Sequence, residues 1–269
     1  MVPNFLIIGA MKSGTTSLWE FLRYHPEVFM PSRKKELHYF SQNWDRGLEW
    51  YEGFFAGANG ERAIGEACTT YTKYPLFSGV PERMAATLPD ARLIYLVREP
   101  VERMRSEWQH LTEQGIEKRP LEKALSEDPN YLSHSSFATQ IEQYLEHFDR
   151  SKLLVLRTED LGIDRMGVCK RVYDFIGVDS SWNGAAQLED RNVTVKRRRP
   201  RRKPGQKGRR KGLSYITQRV AFGTYRTVRK PKPAAVPPEL AAVMRERLRG
   251  EVGRLRAYMD DGFDGWGIA

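Results

Sequence analysis

Cysteine is scarce in this chain: Cys68 and Cys169 are its only two. Two thiols so far apart make neither a disulfide framework nor a zinc knuckle, and both are expected to be buried free thiols. Long hydrophobic runs are lacking too. No stretch approaches the ~18 consecutive apolar residues of a spanning helix. The first 20 residues hold Lys12 and Glu20 and no apolar run of signal-peptide length, so the expectation is a soluble, cytoplasmic chain. Outside one segment, net positive charge is lacking as well. Residues 196–212 hold eleven Lys and Arg and no acid; since the whole chain carries +10, the remainder sums to −1. A nearly neutral body with one cationic segment excludes a surface built throughout for nucleic acid, and no nucleic-acid partner is expected.

What is present is a chain of 269 residues, 40% of them hydrophobic, enough to bury a sizeable core. It is expected as one domain over 1–269, with a basic insert at about 193–212 that is poor in large apolar residues and expected to be mobile. Short apolar runs at 4–8, 92–97 and 152–156 have the composition of strands buried on both faces. Helical spacing begins at Ser17 and stops before Pro26. It returns at roughly 101–113, 120–127 and 137–148, and again at 238–259, where Leu240, Val243, Met244, Leu248, Val252, Leu255 and Met259 form one stripe. Strands alternating with helices predict an α/β fold, a parallel sheet flanked by helices.

The first strand runs into Gly9-Ala10-Met11-Lys12-Ser13-Gly14-Thr15-Thr16-Ser17. A loop between a strand and a helix aims backbone N–H groups and the helix N-terminus at one point, which suits a phosphate. Gly14 permits close approach, Ser13, Thr15, Thr16 and Ser17 add hydroxyls, and Lys12 adds a full charge. It is not a Walker A loop, because Thr15 stands where that motif needs lysine. The strand at 92–97 is followed by Arg98 rather than by a magnesium-binding Asp, which points to a metal-free anionic ligand. Arg98 at the strand end and Ser106 on the following helix could hold a second phosphate.

Lys12-Ser13-Gly14-Thr15-Thr16-Ser17, with Arg98 and Ser106 eight residues apart, resembles the sulfotransferases that use 3′-phosphoadenosine 5′-phosphosulfate (PAPS). Lys35-Glu36-Leu37-His38-Tyr39-Phe40 looks like the Lys-Glu-Pro-His-Phe-Phe segment of heparan sulfate 3-O-sulfotransferases. Val80-Pro81-Glu82-Arg83 and Phe263-Asp264-Gly265-Trp266 are similar too. The resemblance implies a P-loop-like sulfotransferase fold. It also implies a first loop that holds the 5′-phosphosulfate, and Arg98 and Ser106 on the 3′-phosphate. Glu36 is then the catalytic base, with His38 beside it, Lys12 serving both binding and chemistry, and no metal. The partner implied is a hydroxyl-bearing acceptor: a carbohydrate, a glycolipid or a small natural product. The spent cofactor would be 3′-phosphoadenosine 5′-phosphate.

The chain departs from the heparan enzymes in places. They carry lysine where it has Ala67 and proline where it has Thr69, and they have a disulfide that this chain lacks. Their last cofactor loop reads Lys-Gly-Arg. Lys207-Gly208-Arg209 repeats the letters, and residues 226–232 match by position. The basic insert, followed by an amphipathic stretch at 213–228, suits peripheral contact with an anionic membrane surface. Two other readings stand beside the main one. They are a metal-dependent small-molecule kinase with an atypical phosphate loop, and a basic protein that binds nucleic acid or a membrane surface through 196–232.

Overall fold

The computed structural model describes residues 1–32, 34–184 and 235–269, together with the backbone of 195–196 and 228–229. It distinguishes two units, one made of Met1–Glu189 with Pro233–Ala269 and the other of Asp190–Lys232.

The first unit contains five strands: β1 (Phe5–Gly9), β2 (Val28–Phe29), β3 (Ala63–Ala67), β4 (Arg92–Val97) and β5 (Leu153–Arg157). They form one parallel sheet in the order β2-β3-β1-β4-β5. Its helices are α1 (Thr15–Leu22), α2 (Gly47–Glu52), α3 (Val80–Thr87), α4 (Pro100–Glu113), α5 (Leu121–Glu127), α6 (Pro129–Ser133), α7 (Phe137–Leu145), α8 (Thr158–Ile163), α9 (Arg165–Ile176) and α10 (Pro238–Leu255). The expected parallel sheet between helical layers is the architecture found.

All five residues of β1 are buried, and their alternation feeds two cores. Leu6 and Ile8 pack with Leu93, Tyr95 and Val155 against α3 and α7 and the end of α10. Phe5 and Ile7 pack with Ile94, Leu96 and Leu156 against α1 and α9. A strand covered on both faces has to be apolar throughout, which is why β1, β4 and β5 read as continuous runs. The last helix ends at Leu255, earlier than the stripe predicts. Met244, Leu248, Val252 and Leu255 are buried as expected, whereas Val243 is 46% exposed and Ala241 takes a place in the core.

In the second unit, β6 (Val195–Lys196) and β7 (Val228–Arg229) pair antiparallel. The expectations for 193–212, 213–228, Lys207-Gly208-Arg209 and 226–232 otherwise fall outside the described residues. No helix among the described residues is long and apolar enough to cross a membrane.

Candidate active site

The strand order changes direction at β1: from it the chain goes out to the edge strand β2, comes back to β3 beside β1, and then crosses to β4 on the other side. In open parallel sheets, ligands gather outside the carboxyl ends of strands at such a point. The loop that follows β1 returns at once to its neighbour, Ala10 N–H donating to the Leu96 carbonyl at 2.8 Å.

Gly14 precedes α1 in the left-handed region (φ 84°), where a side chain is strained, and no side chain caps the helix. The N–H groups of the first turn therefore lack intrahelical acceptors and point out of the helix toward the loop. Lys12 is also left-handed (φ 69°), a conformation that costs a non-glycine residue ~1–2 kcal/mol. The expected loop residues divide by exposure. Ser13, Thr15 and Ser17 are buried; Lys12, Gly14 and Thr16 are half-buried and face the more open side. Ser13 Oγ has no hydrogen-bond partner among the described residues, and Thr15 Oγ1 accepts from Lys35 Nζ at 3.2 Å. One support was not evident in sequence: Thr158, at the start of α8, donates to both Ser13 O (2.7 Å) and Val97 O (2.9 Å), tying the loop to the end of β4.

Arg98 follows β4 directly. Its Nη1 donates to the Lys12 carbonyl at 3.2 Å, and its Nη2 lies 3.7 Å from Glu102. The arginine expected at a second anion site thus touches the loop expected at the first. Ser106 is half-buried on α4. Glu99 caps α4 by accepting from Glu102 N–H at 2.7 Å, which fixes the helix carrying Ser106. An uncapped helix end with a lysine beside it, and an arginine with a serine a few residues along the neighbouring strand–helix junction, suit a ligand with two separate anionic groups.

The third element arrives from β2 and β3. Glu36 lies in the segment after β2, and Thr69 opens the short 3-10 turn Thr69–Thr72 after β3. Glu36 Oε2 accepts from Thr69 N–H (2.8 Å) and from Thr69 Oγ1 (3.0 Å), while Oε1 accepts from Lys35 Nζ (2.9 Å). Burial, the largest single influence, pushes the Glu36 carboxyl up. The Lys35 charge and the bonds from Thr69 and Lys35 together outweigh it, so the group sits below its ordinary value and is ionised at neutral pH. His38 is left-handed (φ 58°), its Nδ1 3.1 Å from Thr70 Oγ1 and 3.4 Å from Cys68 Sγ. Burial, with help from Lys34, Lys73 and Lys35, holds its pKa down against the pull of Glu36.

Under this surface lies a second carboxyl. Glu66 on β3 is fully buried and accepts from Tyr51 OH (2.5 Å) and Tyr71 OH (2.7 Å). Burial, reinforced by the charge of Glu36, raises it to about 7 despite those bonds. Cys68 and Cys169 are buried free thiols, as expected. Behind the loop, Lys73 Nζ reaches Met11 Sδ (3.0 Å) and Glu107 (3.6 Å). Glu107 in turn meets Arg103 at 2.8 Å and His134 at 3.1 Å. Arg103 is wholly buried and also donates to Ser135 Oγ and Tyr131 O.

Glu36, His38 and Cys68 bring a carboxylate oxygen, an imidazole nitrogen and a thiol within 4.8 Å of one another, donor types that zinc accepts. Each already has a protein partner.

A parallel sheet with a strand–loop–helix turn at its switch point, placed as a phosphate loop is, defines the class of phosphate-loop-like α/β folds. Within that class the chain belongs to the sulfotransferase domain family, whose model matches residues 2–207. It is 31% identical over 194 residues to mouse heparan sulfate glucosamine 3-O-sulfotransferase 3A1, an alignment covering 66% of this chain and 46% of that protein. It is 37% identical over 154 residues to a membrane-associated sulfotransferase of Dictyostelium discoideum, covering 56% of this chain and 31% of that one. The chain thus spans about a third to a half of the length of these relatives. A solved sulfotransferase from Alicyclobacillus acidocaldarius superposes with a TM-score of 0.72 at 26% identity, covering 99% of each chain. The sulfotransferase fold expected from the motifs is the fold present.

Proposed function

We propose that the protein transfers a sulfonate group from PAPS to a hydroxyl of an acceptor, with a carbohydrate as the leading class. Family membership supports sulfonate transfer over a kinase reaction, and the two linked anion sites support a nucleotide with separate 5′ and 3′ groups. PAPS supplies an activated sulfonate attached to a phosphate that leaves. Lys12, Thr16 and the first-turn N–H groups of α1 hold that phosphate and offset the charge it gains. Arg98 and Ser106 hold the 3′-phosphate, so that binding away from the reacting atoms fixes their geometry. Glu36, ionised at neutral pH, takes the proton of the attacking hydroxyl. His38 lines the same cleft, its low pKa keeping the imidazole neutral there. Ser13, Thr15 and Ser17 are buried, and their side chains shape the loop from within rather than from the open side.

The observation that carries this reading is the contact between Arg98 and the Lys12 carbonyl, which brings the residues expected at the two anion sites together. Calorimetry with 3′-phosphoadenosine 5′-phosphate against ATP with Mg²⁺ tests it. Metal-free binding of the bisphosphate is expected. Tighter binding of ATP with Mg²⁺ would return the kinase reading to first place.

A further inference from the structure

We propose that Thr69 is a positioning residue for the reaction, aiming one lone pair of Glu36 at the acceptor by occupying both lone pairs of the other carboxylate oxygen. The inference rests on Glu36 acting as the base.

A carboxylate has about four lone-pair sites, two on each oxygen. Thr69 fills both sites on Oε2, one through its N–H and one through its hydroxyl. Lys35 fills one on Oε1. Among the described residues no other donor reaches Glu36, so one lone pair remains, on Oε1, and a proton leaving an acceptor has a single place to go. Without Thr69 the carboxylate would keep three open sites and freedom to turn about its last torsion, which is broad for glutamate.

The position makes the inference particular to this chain. By the resemblance given above, proline stands there in the heparan enzymes, and it offers neither an N–H nor a hydroxyl. This chain has both donors at one residue. Local backbone permits the exchange, since Cys68 is extended (φ −146°, ψ 121°), as a residue before proline must be. The charged or titratable groups that act on Glu36 are Lys35 beside it, His38 two residues on, Glu66 from β3, Cys68 just past that strand, and Lys73 after the turn. A substitution at 69 removes none of them.

The test is a carboxyl ¹³C NMR titration, with the Glu36 signal identified by its loss in Glu36→Gln. Thr69→Ser keeps both donors and should titrate as the parent. Thr69→Val keeps only the N–H, and Thr69→Pro keeps neither. The Glu36 midpoint should rise from one to the next, by up to about one pH unit per donor lost. Affinity for 3′-phosphoadenosine 5′-phosphate should stay within about twofold throughout, as for a residue outside the anion sites. A folded Thr69→Val protein whose Glu36 titrates as the parent does would overturn the proposal. Failure to bind the bisphosphate in every variant would instead remove the sulfotransferase reading, and the titration would still report on the clamp.

Discussion

Arg98 Nη1 donates to the main-chain carbonyl of Lys12 at 3.2 Å, across 86 residues of sequence. The side chain expected on one phosphate thereby braces the loop expected on the other. Arg98→Ala should weaken binding of 3′-phosphoadenosine 5′-phosphate by about 1.5–3 kcal/mol, the range for a charge-assisted contact. Isothermal calorimetry measures it. An unchanged affinity would place the 3′-phosphate elsewhere.

The roles proposed for Glu36 and Lys12 separate chemistry from binding. Glu36→Gln keeps the shape of the side chain but removes the proposed base. Cofactor affinity should be retained while turnover falls roughly 10²-fold or more. Lys12→Ala should lower both, because that charge serves binding and the leaving phosphate. Equal loss of affinity in the two variants would contradict the division.

Glu66 predicts an unusual pH dependence of stability. Its folded value, about 7, lies above the ordinary carboxylate value of 4.5. The folded state therefore binds the proton more tightly than the unfolded chain does. The resulting stabilisation is full below about pH 4.5 and is lost as pH rises toward 7, by up to about 3 kcal/mol. Urea unfolding of parent and Glu66→Gln protein between pH 5 and 8 isolates it, and the parent should lose stability with rising pH where the variant does not. Glu107 acts in a different window. Burial, the largest influence, pushes its carboxyl up, but Arg103, His134 and Lys73 outweigh it and hold it far below the usual range. Its contribution is present above about pH 4.5 and is lost only in strong acid.

Much of this was legible in sequence, for identifiable reasons. Strands buried on both faces must be apolar, so β1, β4 and β5 announce themselves, and the loop residues from Lys12 to Ser17 sit together in the chain. β3 reads as Ala-Ile-Gly-Glu-Ala and does not. Its burial is made by neighbours: a Cβ on Gly65 would fall 2.1 Å from the Phe5 ring and 2.5 Å from Met30 Sδ, so the strand has no room for a side chain at its centre. The pairing of Glu36 with Thr69, or of Thr158 with Ser13, is a contact across 33 or 145 residues that no local pattern encodes. α9 did carry a signal, since Val168, Cys169, Val172, Tyr173 and Ile176 follow helical spacing.

Arg103 offers a test of the scaffold. It is fully enclosed, and its guanidinium meets Glu107, Ser135 and the Tyr131 carbonyl. Arg103→Met would strand the Glu107 carboxylate, and breaking a buried pair on one side costs about 3–5 kcal/mol. Chemical denaturation should show a loss of that order; a loss under about 1 kcal/mol would mean that Lys73 and His134 suffice for Glu107.

The strand order has a further consequence. The residues assigned to the nucleotide follow β1 and β4, and those assigned to the attacking hydroxyl follow β2 and β3. On the proposed reading, each pair of strands carries one half of the site on its own connections. A substitution on the β2–β3 flank is then expected to change the acceptor side while the nucleotide side keeps its geometry.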